Sequence, residues 1–309
     1  MKKIVIAGKA HPVLHETFLK NGFESIYAPS ISRDELLELL PGLSGLVLAT
    51  RIGADKEMIE KGSSLEWIAR LGSGMDHIDT SFAASKNIRC ISSPEGNCRA
   101  VAEHALGMLL SMMNNICRAS RQIGGGQWLR DENRGVELSG KTIGIIGYGH
   151  TGSAFAGLLS SFGVEILAYD KYKFGFGDSK VREASLEQIG RYADVISFHV
   201  PLTDETAGMA GASFFDSLLR NPWIINTSRG GVVNEDALLQ ALDKGKVRGA
   251  CLDVLENEDL SSLTAVQRSR LERLSGHPAV MLTPHIAGYT DESFYKVSFF
   301  ILQKLGLAV

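Results

Sequence analysis

The run from Thr142 to Phe155, TIGIIGYGHTGSAF, carries G-x-G-x-x-G at Gly147, Gly149 and Gly152. Glycines at this spacing suit a tight turn, a crowded helix start or the close approach of a phosphate, and the flanking residues choose among them. Thr142–Ile146 is a short apolar, β-branched run, and Ser153–Phe162 repeats apolar residues at helical spacing, so the glycines join a strand to a helix. In that setting the first glycine allows the turn, the second admits a pyrophosphate and the third lets helix and strand pack closely. The N–H groups of the helix start then face the phosphates. His150 and Thr151 lie between the second and third glycines and complete this candidate phosphate-binding segment. A second strand-like run, Val164–Tyr169, ends at Asp170, 18 residues beyond Gly152. An acid there accepts hydrogen bonds from the ribose hydroxyls and repels a 2′-phosphate, so the constellation points to NAD rather than NADP.

The fingerprint stands in the middle of the chain, and the elements around it say why. Five strand-like runs precede it, at Lys3–Ala7, Phe23–Ala28, Gly45–Ala49, Trp67–Leu71 and Ile88–Ile91, with helical segments between them. One helix starts at the capping box Ser32-Arg33-Asp34-Glu35, and another starts at Asp55 and stops at Gly62. Alternating strand and helix means a mostly parallel sheet covered on both faces. Residues 1 to about 98 therefore form a complete α/β domain before any nucleotide motif appears. A long helical stretch from Arg99 to about Gln122 and the segment IGGGQWLRDENRG lead into the fingerprint. Behind it strands recur at Val195–Val200, Trp223–Asn226, Arg248–Val254 and Val280–Thr283.

Bulk composition fits a soluble enzyme. The 309 residues suffice for two domains, and 44% hydrophobic with 22% charged residues is ordinary for a globular protein. A net charge of -3 gives no attraction to nucleic acid or an anionic membrane. The opening MKKIVIAGKAH imitates a signal peptide only until Lys9 and His11 break its apolar run. Cys90, Cys98, Cys117 and Cys251 lack metal-ligand spacing, so they read as reduced thiols, with no metal expected and a cytoplasmic location.

Behind the fingerprint, INTSRGGVVNEDAL (225–238), GACLDVLENE (249–258) and LTPHIAG (282–288) follow in order; GSGMDHID (72–79) and NCRAVAEHAL (97–106) lie before it and HVPLTDET (199–206) after it. Together they span nearly the whole chain, and the chain resembles the D-isomer-specific 2-hydroxyacid dehydrogenase family, which includes D-3-phosphoglycerate dehydrogenases and glyoxylate/hydroxypyruvate reductases. The resemblance implies two doubly wound parallel-sheet domains, a flavodoxin-like substrate domain (1–98 and 286–309) and an inserted Rossmann NAD-binding domain (99–285), with the catalytic cleft between them. It implies that the last helix, about Asp291 to Leu305, packs against the N-terminal domain. A homodimer is also implied, built through the nucleotide domain by the Arg99–Gln122 helix and the arm around Trp128, which has little local core to join.

The reaction implied moves a hydride between NAD(H) and C2 of a small D-2-hydroxy acid or 2-oxo acid while a proton moves on the C2 oxygen. That calls for a base near neutral pKa. By resemblance His285 is the acid/base, Glu258 the carboxylate that orients it and favours its protonated form, and Arg229 the group that binds the substrate carboxylate and polarises its carbonyl. Glu256 competes with Glu258; the family places the acid five residues after the Asp of LDV, here Asp253, which favours Glu258. Asp253 is expected at the nicotinamide carboxamide, His199, Val200 and Pro201 beside the adenosine, and Thr227 and Ser228 along the cofactor. The Ser73–Gly74 backbone is expected to hold the substrate carboxylate as an anion nest, and Arg51 to face the substrate.

The sequence also departs from the family. Asp259 stands where a proline commonly follows the acid, and SSLTAVQRSRLERLSG, between Glu258 and His285, reads as an extra helical excursion. No residues follow 309 to form an amino-acid-sensing domain, so feedback inhibition of that kind is not expected. D-3-phosphoglycerate and glyoxylate or hydroxypyruvate are the candidate substrates, and one catalytic set serves them all. The reading of another class is an NAD(H)-sensing corepressor on the same fold, disfavoured by the retained Arg229, Glu258 and His285.

Overall fold

Short β-branched runs alternate with helices along the whole chain and assemble into two parallel sheets. The computed structural model describes residues 1–308. It divides into one compact unit of Met1–Cys98 with the residues from Tyr289 on, and a second of Arg99–Gly288.

The first unit runs β1 (Lys3–Ala7), α1 (Pro12–Lys20), β2 (Glu24–Tyr27), α2 (Arg33–Leu39), β3 (Gly45–Leu48), α3 (Lys56–Lys61), β4 (Trp67–Arg70), α4 (Thr80–Ser85) and β5 (Arg89–Ser92). Its strands lie in the order β2-β1-β3-β4-β5, all parallel, which is the flavodoxin-like order. Strands β3 and β4 are buried along their whole length, which is why they are apolar except for Arg70 at the end of β4, while edge strand β2 is half exposed. Ser32 and Glu35 form the expected capping box at α2, and Asp55 caps α3.

Helix α5 (Pro94–Met113) carries the chain onward. The single helix expected over Arg99–Gln122 is in fact two. Helix α5 starts earlier, at Pro94, where a fixed φ and a missing N–H suit the first helical position. It ends at Met113, and Asn115, at φ 54, turns the chain through the left-handed region before α6 (Ile116–Gly124).

The second unit continues with β6 (Thr142–Ile146), α7 (His150–Leu159), β7 (Glu165–Tyr169), β8 (Val181–Glu183), α8 (Leu186–Tyr192) and β9 (Val195–Phe198). Then come α9 (Ala212–Ser217), β10 (Trp223–Asn226), α10 (Glu235–Asp243), β11 (Gly249–Leu252), α11 (Ala265–Gly276) and β12 (Val280–Leu282). The sheet order is β12-β11-β10-β9-β6-β7-β8, a Rossmann order extended by one strand, and the direction of winding reverses between β6 and β9. Phe198, Ile196 and Leu238 form the core on one face of this sheet, and Ile145, Phe155 and Leu109 the core on the other. Each such buried side chain contributes about 1.5–3 kcal/mol, so the strand ends that carry the chemistry grow from the most stable part of the unit.

The chain then returns to the first unit in α12 (Asp291–Lys304), which packs on α1 and β5 and adds Ile301 and Leu302 to the core around Phe18 and Trp67.

Candidate active site

The glycine turn sits at the winding reversal, where open α/β sheets bind ligands beyond the carboxyl ends of their strands. Gly147 has φ +95, and a Cβ there would lie 2.6 Å from the His199 carbonyl oxygen, so the turn needs glycine for both its angle and its contact with the end of β9. A Cβ on Gly152 would lie 2.0 Å from the Gly147 carbonyl oxygen, whereas one on Gly149 would meet nothing within 4 Å. The turn is thus closed below and open above. Gly149 is the N-cap of helix α7 and brings no side-chain cap, which leaves first-turn N–H groups for an anion. The helix begins at His150, three residues before the expected Ser153, with Thr151 in its first turn.

Asp170 ends β7 and grips the same turn. One carboxylate oxygen accepts the Tyr148 N–H at 2.9 Å, and the other accepts those of Tyr172 and Lys173 at 2.9 and 3.1 Å. Lys173 donates to the Tyr148 carbonyl, so the acid and the glycine turn move as one body. At the end of β9, His199 bonds Ser197 through Nε2 at 2.9 Å, and burial pushes its ring down to about 3, which keeps it neutral. Val200 borders the Gly147 turn, and Pro201 follows it at the surface. The His199 Nδ1 and the Thr227 hydroxyl are buried with no hydrogen-bond partner among the described residues. Buried polar atoms are rarely left so. With the open glycine and the uncapped helix start, they fit a bound dinucleotide.

The three candidate catalytic side chains all lie in the second unit, each just beyond a strand. After β10 the buried Asn226 braces the turn, accepting from the Ser228 N–H and hydroxyl and donating to the Arg229 carbonyl at 2.9 Å. Arg229 donates to the Ser228 carbonyl at 2.7 Å. After β11 comes Asp253, 1% exposed, which folds the loop behind β12 around itself. Its carbonyl accepts the His285 N–H at 2.7 Å, one carboxylate oxygen accepts the Thr283 hydroxyl and the Ile286 N–H, and the other accepts the Ala287 N–H at 2.8 Å. His285 sits in this loop at φ 54, a left-handed conformation that persists because the surrounding bonds over-determine it.

The His285 Nδ1 lies 2.8 Å from Glu258, and both side chains are close to half exposed, at 44% and 45%. Burial works against the Glu258 carboxylate. The hydrogen bond and charge of His285, the Leu255 N–H and the charge of Arg229 outweigh it and hold the carboxyl below its ordinary value. Glu256, the competing acid, is turned to Arg270 and the Glu235 N–H instead. The arrangement is an imidazole oriented by an ionised carboxylate that also feels a guanidinium. It can hold or release a proton beside an anion.

In the first unit, Ser73 and Gly74 lie on a surface bend after β4, outside strand and helix. Arg51 donates to the Pro29 and Ile31 carbonyls, so its guanidinium is engaged within its own unit. Sequence reasoning passed over Arg70, 7% exposed at the end of β4, which donates to the Leu71 carbonyl beside the Gly72 turn. A single charge inside the apolar run WIAR was the available signal. It also passed over His104 on α5, whose Nε2 lies 3.1 Å from the Thr283 hydroxyl. Since that hydroxyl gives its one proton to Asp253, the His104 Nε2 is the donor. No sequence spacing links residues 104, 253 and 283. Among the described residues no group of three or more His, Cys, Asp or Glu could hold a metal ion, and no helix is long and apolar enough to cross a membrane.

Residues 106–287 match the family model described as D-isomer specific 2-hydroxyacid dehydrogenase, NAD binding domain. A hydroxypyruvate reductase of Thermotoga maritima is 36% identical over 277 residues, 89% of this chain and 88% of its own. A D-3-phosphoglycerate dehydrogenase of Archaeoglobus fulgidus is 33% identical over 98% of this chain but only 56% of its own, so the chain spans about half the length of such relatives. Among solved structures, a D-lactate dehydrogenase of Aquifex aeolicus, complexed with NAD and lactic acid, superposes with a TM-score of 0.85 at 27% identity, covering 98% of this chain and 94% of that one.

Proposed function

Since the chain belongs to the D-isomer specific 2-hydroxyacid dehydrogenase family, we propose that it is an NAD-dependent enzyme interconverting a small D-2-hydroxy acid and its 2-oxo acid. The observation that carries this reading is the His285–Glu258 pair at 2.8 Å with the Arg229 charge acting on the same carboxylate. Bound NAD(H) supplies or accepts the hydride at C2 of the substrate. His285 gives its proton to the C2 oxygen in reduction and takes it back in oxidation, and Glu258 keeps the ring turned and charged for that transfer. Arg229 offers a planar fork to the substrate carboxylate and draws electron density from the neighbouring carbonyl. Ser73 and Gly74 supply backbone N–H groups for the carboxylate, while Asp253 serves the site by holding the loop that carries His285. Relatives named for D-3-phosphoglycerate, hydroxypyruvate and lactate support a small 2-hydroxy or 2-oxo acid as the substrate class. Four free cysteines suit a reducing, cytoplasmic setting. The test is NADH oxidation with phosphohydroxypyruvate, hydroxypyruvate, glyoxylate and pyruvate. Turnover of at least one is expected, and turnover of none replaces this reading with an NAD(H)-binding protein that is not an enzyme.

NADH is expected to be preferred over NADPH, because the Asp170 carboxylate would face the 2′-phosphate. Asp170→Ser also loosens the glycine turn that the acid anchors, so both cofactors bind more weakly and the ratio is the readout. That ratio should shift toward NADPH by about tenfold or more, the effect of removing about 1.4 kcal/mol of repulsion. A wild-type protein that prefers NADPH overturns the role given to Asp170.

The active form proposed is a homodimer. Helix α6 buries none of its residues, and Ile116, Ile123 and Trp128 are 56%, 57% and 82% exposed, an apolar surface that a second copy would cover. Sedimentation should give a dimer at micromolar concentration, and Trp128→Glu should weaken it. A wild-type monomer at that concentration removes the dimer from the reading.

A further inference from the structure

Helix α11 fills the interval between Glu258 and His285, and one of its side chains turns back toward the loop that carries the acid. Glu235, at the start of α10, and Glu256 hold each other by reciprocal bonds. The Glu235 carboxylate accepts the Glu256 N–H at 2.7 Å, and the Glu256 carboxylate accepts the Glu235 N–H at 2.9 Å. Two carboxylates so placed repel each other, and Glu235 is only 8% exposed. Arg270 of α11 answers both. Its NH1 touches Glu256 and lies 3.6 Å from Glu235, and its Nε lies 3.5 Å from Asp236, with the guanidinium itself mostly buried.

The segment clamped in this way touches both halves of the catalytic set. The Leu255 N–H donates to the Glu258 carboxylate, closing the turn that aims it at His285. On its other side, a Cβ on Gly230 would lie 1.8 Å from the Leu255 carbonyl oxygen, so the turn carrying Arg229 rests directly on the same backbone. We propose that Arg270 is a positioning residue for the reaction, its charge holding Glu235 and Glu256 together so that residues 255–258 set Glu258 against His285 and Arg229. The inference rests on the catalytic roles proposed above for Glu258 and His285, and it gives α11 a task.

Without the arginine, two carboxylates face each other with no cation between them, and breaking a buried pair from one side is the costly way to break it. Residues 255–257 then move off α10 and take Glu258 with them. The test compares wild type, Arg270→Met, Arg270→Lys, Glu258→Gln and the double variant Arg270→Met/Glu258→Gln. Measured are kcat and KM for the 2-oxo acid, kcat/KM against pH, NADH affinity by fluorescence, and the His285 ring signal by NMR, assigned with His285→Asn. Arg270→Met should lower kcat about tenfold, leave NADH affinity within about twofold, and move the alkaline limb of reduction and the ring signal in the same sense as Glu258→Gln. The double variant should lose little beyond Glu258→Gln alone, since both act through one contact. Arg270→Lys keeps the charge but not the fork, and should lose about threefold in kcat with a smaller move of the ring signal. If Arg270→Met does not fold, Arg270→Lys is judged by the same criteria. A folded variant whose limb and ring signal match wild type overturns the proposal, whatever its stability or kcat. A wild type that turns over no 2-oxo acid overturns the catalytic reading, while the ring signal, which needs no substrate, still decides whether Arg270 sets the pair.

Discussion

His285→Asn should lower kcat/KM for NADH-dependent reduction of the 2-oxo acid by about 10²–10⁴, the range that a positioned general acid contributes. Asparagine is the informative replacement because His285 sits at φ 54, and asparagine tolerates the left-handed region better than alanine or glutamine. The 283–287 loop should survive, since its bonds to Asp253 come from backbone N–H groups and from Thr283 rather than from the imidazole. NADH affinity, read by fluorescence titration, should therefore stay within about threefold of wild type, well under 1.4 kcal/mol. The loss falls on the chemical step, and the pH dependence assigned to the ring should vanish from the residual rate. Wild-type turnover in a folded His285→Asn protein would remove His285 from the mechanism and, with it, the reading of the Glu258 contact.

How far the sequence reaches toward this site depends on the kind of contact involved. The glycine turn was legible because its three constraints fall within six residues, between a strand and a helix that each announce themselves by periodicity. The sheets were legible for the same reason, and their inner strands matched expectation within a residue or two. Strand β8 was not, since Val181–Glu183 exposes two of its three residues and has too little apolar pattern to stand out at a sheet edge. The break at Asn115 was hidden because α6 keeps polar and apolar residues at helical spacing after the chain has changed direction. Long-range polar contacts left no trace at all. His104, Asp253 and Thr283 meet across 179 positions of sequence, and Arg270 reaches Glu256 from a helix whose composition reads only as an exposed one. In sequence the choice between Glu256 and Glu258 rests on resemblance, and the structure gives the physical basis for separating them: one acid faces an arginine and a backbone N–H, the other an imidazole.

Glu258→Gln keeps the shape of the acid and removes its charge, so it separates orientation from electrostatics. The Glu258 carboxyl is held below its ordinary value, so through the range in which an imidazole titrates it carries a full negative charge. That charge favours the imidazolium, the form that protonates the substrate oxygen. Without it the protonated form is lost earlier as pH rises, and the alkaline limb of kcat/KM for reduction should move to lower pH. Two unit charges about 4 Å apart attract by roughly 4 kcal/mol at an effective dielectric near 20, but that figure overstates an open pair. With both side chains near 45% exposed, solvent screens the contact. Pairs of that exposure contribute about 0.2–1 kcal/mol, so the move of the limb should be small. Oxidation of the hydroxy acid uses the neutral ring as base, so its acid limb should move to lower pH as well, and its rate at high pH should fall only through lost orientation. Glu256→Gln is the control. Its carboxylate serves the Arg270 clamp rather than the ring, so it should move the limb less than Glu258→Gln does. A larger move in Glu256→Gln, with the limb of Glu258→Gln left at its wild-type position, would transfer the catalytic role to Glu256.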